Sequence, residues 1–253
     1  MKLNRAFVTA LILCALMSPA VRAGQPQGGG LLARANAAFN QRQEPDKINQ
    51  AIDLYRRAHQ ADPTSLQANS QLVRALFWLG DNCGDEKKAK SLFLEAEAAA
   101  NALVKLHPQH VAGWFLRGAC RVLLFSLDHS FSLLDQGKMD LQKALSMDEK
   151  FEGGGAHRVL GRLYFRLPWL LGGDNAKAVQ HLKKALAMGP KTYNNHLFLA
   201  EVLLAQGKKR EAEGLLKTLL TARSAPGLEP DLSQLKRRAA NLLKSLEQNQ
   251  NRG

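Results

Sequence analysis

An all-α array of stacked helical hairpins, of the tetratricopeptide type with about 4–5 repeats and a C-terminal capping helix, is the fold this sequence predicts. Three observations predict it. Ala51, Tyr55, Ala58 and Pro63 fall at spacings of 4, 3 and 5, and Ala178, Leu182, Ala185 and Pro190 repeat those spacings. A small residue, a large apolar one, another small one and a helix-closing proline make the second half of a tetratricopeptide unit. Such a hairpin cannot bury its apolar face alone and therefore stacks on neighbours. From Leu31 onward, apolar residues recur at three- and four-residue spacing, the period of amphipathic helices. Finally, placing each closing proline at position 32 of a 34-residue unit makes Pro108 predict Trp at position 4 and Gly at position 8 of the next one, and Trp114 and Gly118 stand there.

The array is preceded by residues 1–23, which read as a signal peptide: basic Lys2 and Arg5, an apolar run from Phe7 to Met17, and Val21-Arg22-Ala23 before a cleavage site at Gly24. The run is too short to span a bilayer, which takes roughly 20 residues. Lipid anchoring at Cys14, after Leu11-Ile12-Leu13, is the alternative, and large Leu13 suits it poorly. Localisation in the periplasm is expected. Residues 24–30 read as a disordered lead-in, 31–226 as the repeat array, 227–248 as linker and capping helix, and 249–253 as a disordered tail.

Within the array, Pro63 places an inner helix from Leu66, with Leu72, Leu76 and Gly80 at packing and turn positions. Its partner is displaced by about 11 residues, through Asp81 to Glu95, and ends at His107-Pro108. A second stretch of extra residues spans Asp128 to Gly137 before Leu141 and Ala144. Leu160-Gly161 and Tyr164 open the fourth unit, and Pro168 stops that helix because it lacks a donor and clashes with the preceding turn. Gly172-Gly173 break the chain, and Asp174 is an N-cap candidate for the helix of Ala178 and Ala185. The fifth unit, with Leu199-Ala200, Leu203, Gly207, Ala212 and Leu216, needs no insertion. Pro226 to Pro230 read as linker, and Asp231 to Gln248 as a last amphipathic helix.

The run Gly153-Gly154-Gly155-Ala156-His157, Leu160-Gly161, Tyr164, Leu167-Pro168 and Gly172-Gly173-Asp174, leading to Ala178 and Leu186, is more specific than repeat spacing. It resembles the T-component family of tripartite ATP-independent periplasmic (TRAP) transporters. The resemblance implies an all-helical tetratricopeptide-like array and a non-catalytic periplasmic accessory that associates with the transporter's solute-binding protein, with an oligomer of this chain as a further expectation. Tyr193 to Leu220 departs from it by following the general repeat pattern without interruption. A general tetratricopeptide scaffold, binding a peptide or an envelope-assembly partner, is therefore the alternative.

The net charge of +13 is uneven. Residues 24–155 carry 15 Lys/Arg against 15 Asp/Glu, whereas residues 156–253 carry 17 against 7. An acidic partner or an anionic membrane surface fits that asymmetry, and export argues against nucleic acid. Inner-helix positions expected to face a binding groove include Arg74, Phe77 and Trp78, then Phe115, then Arg158, Arg162, Phe165 and Arg166, and finally Asn194 and Glu201. Arginine forks grip carboxylates at two points while aromatic rings shelter an apolar body, so a protein segment or a small amphipathic carboxylate suits this set. The plainer reading makes the aromatics core and the arginines solvated surface.

Nothing calls for a cofactor or catalysis: no Gly-x-Ser-x-Gly elbow and no Gly-x-x-x-x-Gly-Lys-Ser/Thr loop occurs. No metal set is expected either. Pro108 separates His107 from His110, and His157, His181 and His196 are given separate core or surface roles although the register lets them approach. Gly153 to Gly155 read as a flexible helix start. Cys83 and Cys120 admit a disulfide in an exported protein, or two free thiols.

Overall fold

The computed structural model describes residues 30–223 and 229–250. The expected signal peptide with Cys14, the lead-in before Gly30, linker residues 224–228 and the last three residues lie outside them. Eleven α-helices, one short 3-10 helix and no strand occur among the described residues. They pair in chain order as hairpins: α1 (Leu31–Asn40) with α2 (Pro45–Ala61), α3 (Leu66–Asn82) with α4 (Glu86–Leu106), α5 (Val111–Asp128) with α6 (Phe131–Met147), α7 (Phe151–Arg166) with α8 (Asn175–Met188), and α9 (Tyr193–Ala205) with α10 (Lys209–Leu220), followed by α11 (Glu229–Gln250). Two compact units result, residues 30–151 and residues 152–250.

Side chains satisfy many of the helix ends. Ser65 accepts from the Ala68 amide at 3.2 Å, Asp85 from Lys88 at 3.0 Å and His110 Nδ1 from Ala112 at 3.2 Å. Asp174 caps α8 as the sequence predicts, accepting from the amides of Ala176 and Lys177 at 2.8 and 3.0 Å. Each closing proline follows its helix by two residues, where the chain must already leave the helical path. Trp114 ties its helix to the preceding turn by donating its indole Nε1–H to the Pro108 carbonyl at 2.8 Å.

In the first unit the core holds Ala51 and Tyr55, with Leu72, Leu76 and Phe93, and further along Leu103, Phe115, Leu116 and Leu141. The extra residues of the second and third hairpins do not form loops or displace a helix through Asp81. They lengthen the helices instead: α3 has 17 residues, α4 has 21, α5 has 18 and α6 has 17. Added helical turns keep the apolar stripe in register with its partner, whereas a loop would leave Leu92 and Phe93 nothing to pack on. Gly80 accordingly lies inside α3 rather than at a turn. A Cβ there would sit 2.4 Å from the Phe93 ring.

The second unit packs Ala178, Leu182, Leu197, Phe198, Ala200, Leu216, Leu235 and Ala239 into one cluster. Pro168 does break the chain after α7. A 3-10 turn at Trp169–Leu171 follows, with Gly172 in the left-handed region at φ 88°. The connection is internally bonded: the Leu171 and Gly173 amides donate to the Pro168 carbonyl, and Asp174 N–H reaches back to Tyr164 O at 2.9 Å. Helix α11 begins at Glu229, so Pro230 belongs to its first turn, where a missing N–H costs nothing.

Candidate functional site

The ten residues expected to line a groove divide between the units. In residues 30–151, Phe77 packs against Phe93 with ring centroids 6.0 Å apart, and Phe115 meets Phe151 edge-on at 5.6 Å. Both phenylalanines are core. Arg74 is buried on α3, close enough to Tyr55 to act electrostatically on its hydroxyl, and Trp78 is half-buried beside it. The strongest polar feature of this unit went unnoticed in the sequence. Buried Asp140 of α6 accepts two bonds from Arg117 at 2.6 and 2.8 Å and one from Arg121 at 2.6 Å, and Arg121 also donates to Glu97 of α4 at 2.9 Å. Two cations and two carboxylates balance, so this network reads as a clamp across α4, α5 and α6.

The other six residues lie on α7 and α9. At the start of α7, Glu152, Gly153 and Gly154 take left-handed conformations at φ 55°, 59° and 78°. The glycine run is therefore a fixed turn, not a flexible lead into the helix. Buried Arg158 holds it by donating to Glu152 O at 3.3 Å and to Asn195 Oδ1 at 3.1 Å. Asn195 in turn donates to the carbonyls of Gly153, Ala185 and Gly189 at 3.2, 2.7 and 3.2 Å. Asn195, which the sequence reading did not include among the groove positions, thus locks the turn beside buried Asn194.

Glu201 organises the remainder. Its carboxylate accepts from Arg162 through one oxygen and from Arg238 of α11 at 2.6 Å through the other, and Arg166 stands 3.6 Å away. Arg162 is fully buried, lying over the Phe198 ring at 4.2 Å and over Phe165 at 5.9 Å. Burial pulls its guanidinium down to about 10, with Glu201 opposing, so it stays charged at neutral pH. Burial alone would raise the Glu201 carboxyl, but the arginines, Arg162 first, hold it below the ordinary value.

One carboxylate thus faces three guanidinium groups. Arg166 gains least: its buried Nε has no hydrogen-bond partner, and its side chain keeps 25% of its surface exposed over the Phe165 ring. Sequence reasoning missed Arg238. The available signal was its place beside Leu235 and Ala239 on the buried stripe of α11.

The histidines are not all separate, contrary to expectation. His157 Nδ1 lies 2.7 Å from His181 Nδ1, so one ring donates to the other, and the Tyr164 ring stacks on His181 at 5.5 Å. Burial, then His157 and Lys184, lowers His181 to about 4. His196 instead stands against Tyr193 at 5.6 Å. No group of three potential metal ligands occurs among the described residues. Cys83 and Cys120 are both free thiols, and burial pushes Cys120 well above its ordinary value.

Hairpins stacked in chain order, with small residues at their contacts, define an all-α array of the tetratricopeptide type. The profile of the family described as TRAP transporter T-component matches residues 27–249, and the chain belongs to that family. Its fold and family are non-catalytic ones. Among solved structures, a thermophilic TPR protein of Thermus thermophilus is similar at 20% identity, covering 85% of this chain and 99% of that one with a TM-score of 0.61. That likeness concerns the fold alone. Two structures of MamA are also similar, each at 14% identity and a TM-score of 0.45, covering 85% and 80% of this chain and 96% of their own. No curated protein matches the sequence.

Proposed function

We propose that this chain is a non-catalytic accessory protein, exported by a cleavable signal, that associates in the periplasm with the solute-binding protein of a tripartite transporter. Family membership supplies the system, and the Glu201 cluster supplies the recognition chemistry. Glu201 compensates one of three arginines, so Arg166 and Arg238 present surplus positive charge at a half-buried position flanked by Phe165. A carboxylate from an acidic partner segment, or from a small amphipathic ligand, meets donors already ordered by the fold. Arg158 and Arg162 are committed inside the protein and take part only by holding the face in shape.

Cross-linking in the periplasm followed by recovery of the tagged protein tests this reading. The expected companion is a solute-binding protein. Recovery of envelope-assembly factors alone would replace the transporter role with that of a general scaffold.

A further inference from the structure

The stretch after Arg166, at one end of residues 152–250, contributes no side chain to the Glu201 ion pairs. Here the α7–α8 connection displays Trp169 and Leu170 with 80% and 73% of their surfaces exposed. A single exposed apolar side chain is ordinary, but these two are adjacent and lie on a hydrogen-bonded turn. Leu171 and Gly173 donate to Pro168 O, Gly172 donates to Trp169 O, and a Cβ on Gly173 would fall 1.8 Å from Leu167 O. The turn keeps one shape whose product is an outward pair of apolar side chains.

The neighbouring α9–α10 turn lies at the same end, since Gln206 Nε2 donates to Asn175 O at 3.2 Å. It exposes Lys208, Lys209 and Arg210 in succession. Lys208 occupies the N-cap of α10 without any side-chain capping bond, and the next two cations open the helix. Helix N-termini carry partial positive charge and favour Ser, Thr, Asp or Asn at the cap, so local helix energetics do not account for this choice. Lys177, with 59% of its side chain exposed, adds a fourth cation. Against these stand Asp174, engaged with α8 amides and 3.7 Å from Lys177, and Glu211 in the first turn of α10.

We propose that this end of the second unit is a docking edge for an anionic lipid surface. Trp169 and Leu170 enter the headgroup region while Lys177, Lys208, Lys209 and Arg210 meet acidic headgroups. Tryptophan with its amphipathic ring belongs at that depth, and basic groups beside it are drawn to anionic lipid. A projecting pair of side chains offers far less than the roughly 800 Å² per partner of a specific protein interface, whereas a bilayer admits it without a complementary pocket. No described helix is long and apolar enough to cross a membrane, so the contact is peripheral. The inference does not depend on the arginine cluster.

Co-sedimentation of the processed protein with phosphatidylglycerol/phosphatidylcholine vesicles, against phosphatidylcholine alone, tests it. Binding is expected only with the anionic lipid and is expected to weaken as salt rises. The pair Trp169→Ala/Leu170→Ala and the pair Lys208→Glu/Lys209→Glu should each lower it at least about tenfold. All four side chains are exposed, so circular dichroism should be unchanged. In the wild type, quenching by brominated lipid should disappear with Trp169→Phe. Equal binding by wild type and both double variants overturns the proposal. So does an absence of vesicle binding together with capture of a protein that the Trp169→Ala/Leu170→Ala variant loses.

Discussion

Glu201 illustrates how one carboxylate serves two ends. It neutralises Arg162, which has no surface exposure, and it anchors Arg238 from the last helix. Glu201→Ala leaves Arg162 buried without its counter-charge, and thermal unfolding should show a loss of roughly 3–5 kcal/mol. Because its folded pKa is lowered, the stability Glu201 adds is present above the ordinary carboxylate value and is lost as pH falls through the folded one. His181 acts in a higher window. Its pKa falls from the ordinary 6.5 to about 4, so between those values the unfolded chain binds the proton and the folded chain does not. Stability should therefore decline as pH drops from 6.5 toward 4, and His181→Asn should flatten that limb in denaturant titrations across the range. A slope unaltered by the substitution would show that another group governs it.

At the scale of elements, the left-handed turn that starts α7 is the part most tightly specified by its glycines. Gly154 has φ 78°, and a Cβ on it would lie 2.7 Å from Ala185 Cα of α8. Gly207, with φ 74°, has nothing within 4 Å of the same position. Gly207→Ala should thus cost about 1 kcal/mol from backbone conformation alone. Gly154→Ala adds a collision with backbone and should cost at least about 2 kcal/mol more. Comparing the two melting temperatures separates strain from contact, and equal losses would argue that α8 simply moves aside. The hairpin contacts themselves were legible in the sequence, since Ala178, Leu182 and Ala185 are fully buried as their spacing implies. The lengthened helices α3 to α6 were not, because extra residues that preserve an apolar stripe look the same in sequence whether they extend a helix or precede it.

Across the whole chain, charge is the property that bears on partners. Most of the excess of basic over acidic groups falls in residues 156–253, where Arg166 shares one carboxylate, Glu201, with two other arginines and Lys208, Lys209 and Arg210 are exposed. In the first unit, Arg117 and Arg121 are instead balanced by Asp140 and Glu97. Partner association through the Glu201 face should weaken with ionic strength. Arg166→Glu with Arg238→Glu should reduce both the affinity and its salt dependence in a cross-linking titration. An unchanged salt slope would remove those two arginines from recognition. The reversal is informative there and not at Arg158 or Arg162, where burial would turn a binding test into a folding test.

The sequence alone determined the repeat, the helical class and the family, because spacing along a helix dictates which face is buried and small residues at fixed positions dictate where helices meet. It also placed Arg162, Arg166 and Glu201 on successive inner helices, among ten positions expected to face a groove. Only the tertiary structure decided what those charges do. Arg238 arrives from 37 residues beyond Glu201, and whether a guanidinium is sealed inside, shared with a carboxylate or left open depends on which helices close around it. Distances between side chains on different helices are absent from any local pattern, and they fixed Arg158 as a brace, His157 and His181 as a pair, and Arg166 as the more distant, partly exposed cation beside Glu201.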